Sequence, residues 1–596
     1  MDRNTIVGIL LIAATLIIYS VITSPSEEEK AAAEARRQRT LDSLAAVEQE
    51  RALEEQKKKE QTQNAYPEIM PDSVADSVMN KELQERYGFF AKAAKGEEKF
   101  VTLENENVRI KLNTRGGKIY SAELKNYQTY DSLPLYLFKG DSTVFGLNFF
   151  SKNHSISTDG LFFEPTKQEK SLYTDGDSPA EIGMRLYVDE NRYLEYFYSL
   201  KPGGYTVDCD VRLIGMNSVI ANNANYLNLN WGLIVPSQER GAEWENNYTA
   251  LYYKYFQDEV DNLSARVSDA EEKDLVTKVK WIGYKQQFFS SILIAGDAFN
   301  NAYVKEENMV EKDPRYLKSF YSDMSIPYNG RDNENFSMTF YFGPNHYKTL
   351  KKHDLEMEEI IDLGWGIFGW VNKFAIIPIF NFLGSFLSNY GLIILLMTII
   401  IKIVLFPLTY KSYLSSAKMR VLKPQIDEIN KKIPKEKAME RQQATMALYK
   451  KAGVNPMGGC LPLLIQMPIL IAMFRFFPSS IELRQESFLW AHDLSSYDSV
   501  LDLPFTIPFY GDHVSLFTLL MTISTVIYTR LNSQMTSSNQ QMPGMKIMMY
   551  MFPVMMLFWF NSYASGLSYY YLLANLISFG QMALIKQRVN DEDILK

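Results

Sequence analysis

The sequence predicts a multi-domain membrane protein: an α-helical transmembrane bundle of six spans plus an external β-sandwich domain. Three observations carry this. An apolar run beginning at Gly391 is long enough to cross a bilayer, the chain from Phe100 to Tyr347 alternates with period two, and the loops between apolar runs differ in charge sign. The chain has 596 residues and a net charge of −8, too long for one domain, and its average composition hides two unlike halves. Of its two cysteines, Cys209 and Cys460, the second falls in an expected membrane helix, so no disulfide joins them.

Residues Thr5 to Ile22 are apolar apart from Thr15, Tyr19 and Ser20, follow Arg3 and run into SPSEEEK. Neither an A-x-A site nor a cysteine follows, so residues 1–24 are expected to form an uncleaved signal anchor with its N-terminus inside. Residues 25–99, with EEEKAAAEARRQRT and VEQERALEEQKKKEQTQ, are too charged to build a core and read as a solvated linker.

Residues 100–350 are expected to form the β-sandwich. VTLENENVRIKL and KIYSAEL flank a tight TRGG turn at Thr114 to Gly117. In YTVDCDVRL, Tyr205, Val207, Cys209, Val211 and Leu213 alternate with polar residues, which makes Cys209 a core residue rather than a reactive thiol. YLNLNW repeats the pattern at Leu227, Leu229 and Trp231, and SMTFYFGP closes the region. The five histidines are scattered without ligand spacing, and no nucleophile-elbow, zincin or phosphate-loop motif occurs. No catalytic residue, metal site or cofactor is expected.

LGWGIFGWVNKFAIIPIFNFLGSF follows, aromatic and interrupted by Pro378; residues 355–375 are expected to lie as an amphipathic helix in the membrane surface. A five-helix core is expected over 390–590. Its first span, Gly391 to Thr409, holds thirteen Leu, Ile, Val and Phe residues around Lys402. A central lysine costs roughly 2.5 to 3.5 kcal/mol, against about 4 to 8 returned by the apolar residues, so the helix inserts with its charge. Thr398, Lys402 and Thr409 fall within about 40° of one another and form a polar stripe that must face protein or water.

Further spans are expected at Cys460 to Phe477, Val514 to Tyr528, Met545 to Phe560 and Gly566 to Ile585. The segment 411–455 is basic and the loop after the third span acidic, which places the first in the cytoplasm and the second outside. The basic segment reads as an αα-hairpin broken at Pro434, with Lys418, Arg420, Lys423, Lys431 and Lys432 available to ribosomal RNA or acidic lipid. Within the spans, Gln466 is the polar residue of the third, and Ser568, Tyr571 and Asn575 share a face of the last beside Tyr570. If these faces converge with Lys402 and Thr398 they enclose a hydrophilic pocket; the alternative for Gln466 and Asn575 is that they simply bond helix to helix. Methionines crowd Met542 to Met556, a surface suited to varied apolar partners.

KIVLFPLTYKSYLSSAKMRVLKPQI, ALYKKAGVNPMGGCLPLLIQMPILIAMF and SGLSYYYLLANLIS resemble the membrane core of the YidC family of bacterial membrane protein insertases. The resemblance covers about Leu363 to Arg588, and the anchor with a large external β-domain is similar to the Gram-negative form. It implies a bundle with a groove open to cytoplasm and lipid, a periplasmic β-domain, and nascent membrane proteins as substrates. It also implies the bilayer, the Sec translocon and, through the hairpin, the ribosome as partners; DNA is not expected. Where the family usually carries a groove arginine, this chain has Lys402, which keeps the charge and loses the planar fork. The tail KQRVNDEDILK is short and acidic, unlike the long basic tails of some relatives. Two other readings stand beside this one: a channel or transporter, which needs a polar path right through, and an anchored periplasmic binding or receptor protein working through its β-domain.

Overall fold

Alternation decides the strands. In Thr206–Ile214, Val207, Cys209, Val211 and Leu213 point into the core while their neighbours are half-exposed. Cys209 is fully buried, and burial pushes its thiol far above the range where a reactive thiolate forms. The structure, a computed structural model, describes residues 81–140, 142–266, 269–434, 437–454, 461–508, 510–535 and 545–588. The anchor expected at 1–24, the linker up to residue 80, Cys460 and the acidic tail lie outside the described residues.

The β-domain runs from Phe100 to Pro344. At the middle of a nine-stranded sheet, Phe289–Phe299, Asn333–Pro344, Thr206–Ile214 and Arg192–Leu200 pair antiparallel in that order. A six-stranded sheet is built on Tyr226–Pro236 and Tyr316–Pro327. The two sheets meet through aromatic rings: Trp231 stacks on Tyr284 at 4.0 Å between centroids, and Tyr284 on Phe320 at 4.9 Å. The Tyr284 hydroxyl donates to the Trp231 carbonyl at 2.8 Å, so this polar group is buried with its partner. A five-stranded sheet adds Leu103, Ile110 and Leu124 to the same core. The TRGG turn places Gly116 and Gly117 at φ +81° and +61°, and a side chain on Gly117 would meet the Phe163 ring at 2.8 Å.

After the β-domain the chain folds back along the outer face of the nine-stranded sheet, burying Leu350, Met357 and Ile360 with Trp281 and Ile292. Among the described residues eight helices follow: α1 (Gly366–Gly384), α2 (Tyr390–Val421), α3 (Lys423–Lys432), α4 (Ala438–Lys451), α5 (Leu461–Ser479), α6 (Leu516–Met535), α7 (Met545–Phe560) and α8 (Ser565–Arg588). The surface helix expected at 355–375 is displaced: residues 361–365 are not helical and α1 ends only at Gly384. Gly364 and Gly366, at φ +88° and +54°, delay the start. Pro378 does not interrupt α1, because a π-turn at Asn372–Ile376 loosens the backbone where the proline ring would strike a carbonyl.

The six expected spans are not all shown by apolar length. Among the described residues only α1 and α2 are both long and apolar enough to cross a bilayer. Helix α8 has the length, with 24 residues, but Ser568, Asn575, Ser578 and Gln581 dilute its apolarity. Apolar length alone therefore does not count the spans of a bundle whose helices carry polar groups inward. The 32 residues of α2 extend about 48 Å, well past a ~30 Å bilayer core, so its last turns belong to the basic segment.

The basic segment breaks between α3 and α4, where Pro434 lies. Arg441 of α4 donates to the carbonyls of Ile433, at 2.7 Å, and Asn430, satisfying acceptors at the end of α3. At its base Met419, Leu422 and Val454 form a small buried cluster.

Candidate functional site: a polar seam between three helices

Helix α2 sorts its residues by face. Ile393, Ile394, Met397, Thr398, Ile401 and Lys402 are buried, while Leu392, Leu396, Ile403, Val404 and Phe406 are exposed. Lys402 thus points inward at 6 % exposure, twelve residues or about 18 Å along α2 from its first residue. Its Nζ donates to Ser578 Oγ of α8 at 2.9 Å, and Ser578 donates onward to the Ala574 carbonyl at 2.7 Å. Gln581 Nε2 donates to the Lys402 carbonyl at 3.1 Å, a second tie between the helices. Among the described residues no carboxylate pairs with this ammonium.

One to three turns back along α8 the polar residues face α6 instead. Asn575 Nδ2 donates to Ser524 Oγ at 2.9 Å and Thr525 Oγ1 at 3.0 Å, and the Ser568 and Thr518 hydroxyls are bonded at 3.1 Å. The Thr522 hydroxyl, buried on α6, has no partner among the described residues. Thr398 donates to its own helix at the Ile394 carbonyl, 2.6 Å away. Tyr570 is buried with its ring 6.0 Å from Phe477, Tyr571 lies 6.4 Å from Phe560, and Gln466 is half-buried on α5.

The expected residues are therefore divided. Lys402 meets α8 at Ser578 and Gln581, while Ser568 and Asn575 meet α6; no direct bond joins Lys402 to either. Ser578, Gln581, Thr518, Ser524 and Thr525 were missed by sequence reasoning. The signal for Ser578 was present, since it continues the Ser568, Tyr571, Asn575 spacing by three residues. Thr518 and Thr525, seven apart on α6, offered a similar stripe.

Toward the β-domain the seam ends in close packing. Phe477, Leu483, Leu494, Phe517 and Tyr569 are buried there, and the Trp490 ring lies 4.4 Å from that of Phe517. Asp498 caps α6 by accepting from the Leu516 and Phe517 amides at 2.9 and 3.0 Å. Outside the bundle, Trp370, Phe374, Phe382, Phe552, Val554 and Trp559 are exposed, an apolar surface suited to lipid. The basic residues of the hairpin stand elsewhere: Lys418 and Arg420 on the last turn of α2, Lys423 at the start of α3, and exposed Lys431 and Lys432 at its end. Arg420 lies over the Tyr413 ring at 5.6 Å. Among the described residues no cluster of His, Cys, Asp and Glu could hold a metal.

Residues 100–376 match the family model of the YidC periplasmic domain, and residues 382–592 that of the 60Kd inner membrane protein. A membrane protein insertase YidC of Parabacteroides distasonis is 45% identical over 610 residues, covering 100% of this chain and 94% of that one. One from Bacteroides fragilis is 41% identical over 604 residues, covering 100% and 93%. The crystal structure of an active YidC insertase aligns with 82% of this chain and 92% of its own, at 19% identity and a TM-score of 0.31. With both halves matched and relatives similar from end to end, the chain belongs to the YidC family of membrane protein insertases, inner-membrane proteins with a periplasmic domain.

Proposed function

We propose that this chain inserts nascent membrane proteins by drawing their hydrophilic segments into the seam between α2, α6 and α8. The observation that supports this most is Lys402, a buried ammonium held by a hydroxyl and by no carboxylate among the described residues. A buried charge without a counter-ion is costly, and an acidic residue arriving on a substrate would relieve that cost. Thr398, Gln466, Ser568, Tyr570, Tyr571 and Asn575 line or support the path, and Ser578 positions the ammonium. A hydrated seam entered from the cytoplasm and stopped near the β-domain shortens the dry distance a polar segment must cross. The apolar helix of the substrate then leaves sideways past the exposed faces of α2 and α7, driven by its own transfer free energy. No cofactor or bond-making step is required. The core works as five membrane helices with the anchor as a sixth, the hairpin residues Lys418 to Lys432 meet the ribosome, and a Sec translocon shares some substrates.

The test is protease-protected insertion of a single-span substrate with an acidic outer tail into liposomes carrying the purified protein. Lys402→Ala is expected to lower insertion about tenfold, the scale of one lost charged contact, while Lys402→Arg stays near wild type. Equal insertion by the Ala variant would remove the charge from the mechanism.

A further inference from the structure

A cleft of about 770 Å³ opens where the β-domain meets the start of α1 and the outer end of α5. It lies away from the seam. Lys285, 5 % exposed, lines it and ends the strand Val279–Lys285. Its Nζ donates to the Tyr248 carbonyl at 2.7 Å, its one acceptor among the described residues, so two of three N–H donors are left for an occupant of the cleft. Burial holds this ammonium down at about 8, with Asp362 opposing, and a bound anion would lift it again.

The other charges sort by partner. Asp362 pairs with Arg475, Glu356 with Lys254 at 2.7 Å and Glu359 with Lys373 at 2.6 Å. Among the described residues this leaves Lys285 and Arg266 without a carboxylate, and Glu259 without a cation. Trp365, 66 % exposed, also lines the cleft and stands just before α1, whose exposed Ile367, Trp370 and Phe374 continue an apolar face. A cleft lined by two cations without a carboxylate and by one carboxylate without a cation, with a tryptophan that favours the headgroup layer, matches one kind of molecule.

We propose that the cleft binds the headgroup of a zwitterionic aminophospholipid. The phosphate is held by Lys285 and Arg266, the ammonium faces Glu259, and the acyl chains leave past Trp365 along α1. An anionic headgroup without the amine would have no partner for Glu259 and would meet the surrounding carboxylates.

The test uses the full-length protein in mild detergent, with native mass spectra recorded after adding equal amounts of phosphatidylethanolamine and phosphatidylglycerol, with and without inorganic phosphate. The phosphatidylethanolamine adduct is expected to dominate, to persist in phosphate, and to fall about tenfold in Lys285→Met and in Arg266→Gln. Lys285→Met keeps the buried stem and removes a buried charge, and a melting temperature at or above wild type shows that it has folded. Equal adducts of the two lipids, displacement by phosphate, or unchanged adducts in both variants would each overturn the proposal.

Discussion

Arg484 and Glu239 show what single residues do at the junction of the two halves. Arg484 follows α5, Glu239 belongs to the β-domain, and their side chains, 2 % and 7 % exposed, meet at 2.7 Å. Arg484 also donates to the Gln128 carbonyl at 2.5 Å and lies over the Phe289 ring at 5.1 Å. A buried pair is costly to break on one side, because the partner remains as an unpaired buried charge. Arg484→Met should therefore lower unfolding stability by about 3 to 5 kcal/mol, with much of the loss restored in Arg484→Met with Glu239→Gln, read by thermal melts in detergent. Glu245 stands next to Glu239 and accepts from Ser237 Oγ at 2.8 Å and the Glu239 amide at 3.1 Å. Burial pushes both carboxyls up, that of Glu245 to about 8, against the pull of Arg484 on Glu239. A carboxyl raised in the fold holds its proton better there than in the unfolded chain. Its contribution is complete below the unfolded value of about 4.5 and is lost as pH rises toward 8. Melting temperatures should fall from pH 5 to 8, and fall less in Glu245→Gln; parallel profiles would contradict the assignment. None of this was legible beforehand, since partners 245 residues apart carry no local pattern.

Elements were legible where one periodicity ruled them. Thr206–Ile214 alternates in burial as its residues alternate in polarity, and α2 buries the face that carries Lys402. Helix α1 was misplaced because its boundaries depend on backbone geometry, two positive-φ glycines and a π-turn, rather than on apolar spacing. Gly391 is a further case. In the sequence it is only the first residue of a span, yet a Cβ there would lie 2.0 Å from the Phe488 ring of the loop after α5. Alanine is the better helix former by about 1 kcal/mol, but here the ring must move first. Gly391→Ala should lower stability by about 1 to 3 kcal/mol, and adding Phe488→Ala should recover part of it. A neutral or stabilising Gly391→Ala would show that the loop yields freely.

At the scale of the whole molecule the two halves were readable from composition and period, whereas the way they join was not. The junction consists of contacts between distant segments: Gln287 Nε2 donates to the Pro478 carbonyl at 2.9 Å, Ile481 sits in the β-domain core, and the Trp244 ring meets Tyr563 at 4.4 Å. All of these are at the outer loops and helix ends. Every bond of the polar seam is instead made by α2, α6 and α8, with Phe560 of α7 at its margin. Removing residues 100–347 therefore strips packing from Ile481, Arg484 and Tyr563 while leaving the Lys402–Ser578 contact in place. The shortened protein should melt at a lower temperature, yet insert a single-span substrate into liposomes at a rate within a few-fold of wild type, since the substrate's own transfer free energy is unchanged. If insertion disappears while the seam helices remain folded, as judged by circular dichroism of the truncated protein, then the β-domain itself handles substrate. The centre of function would then move from Lys402 to the periplasmic side.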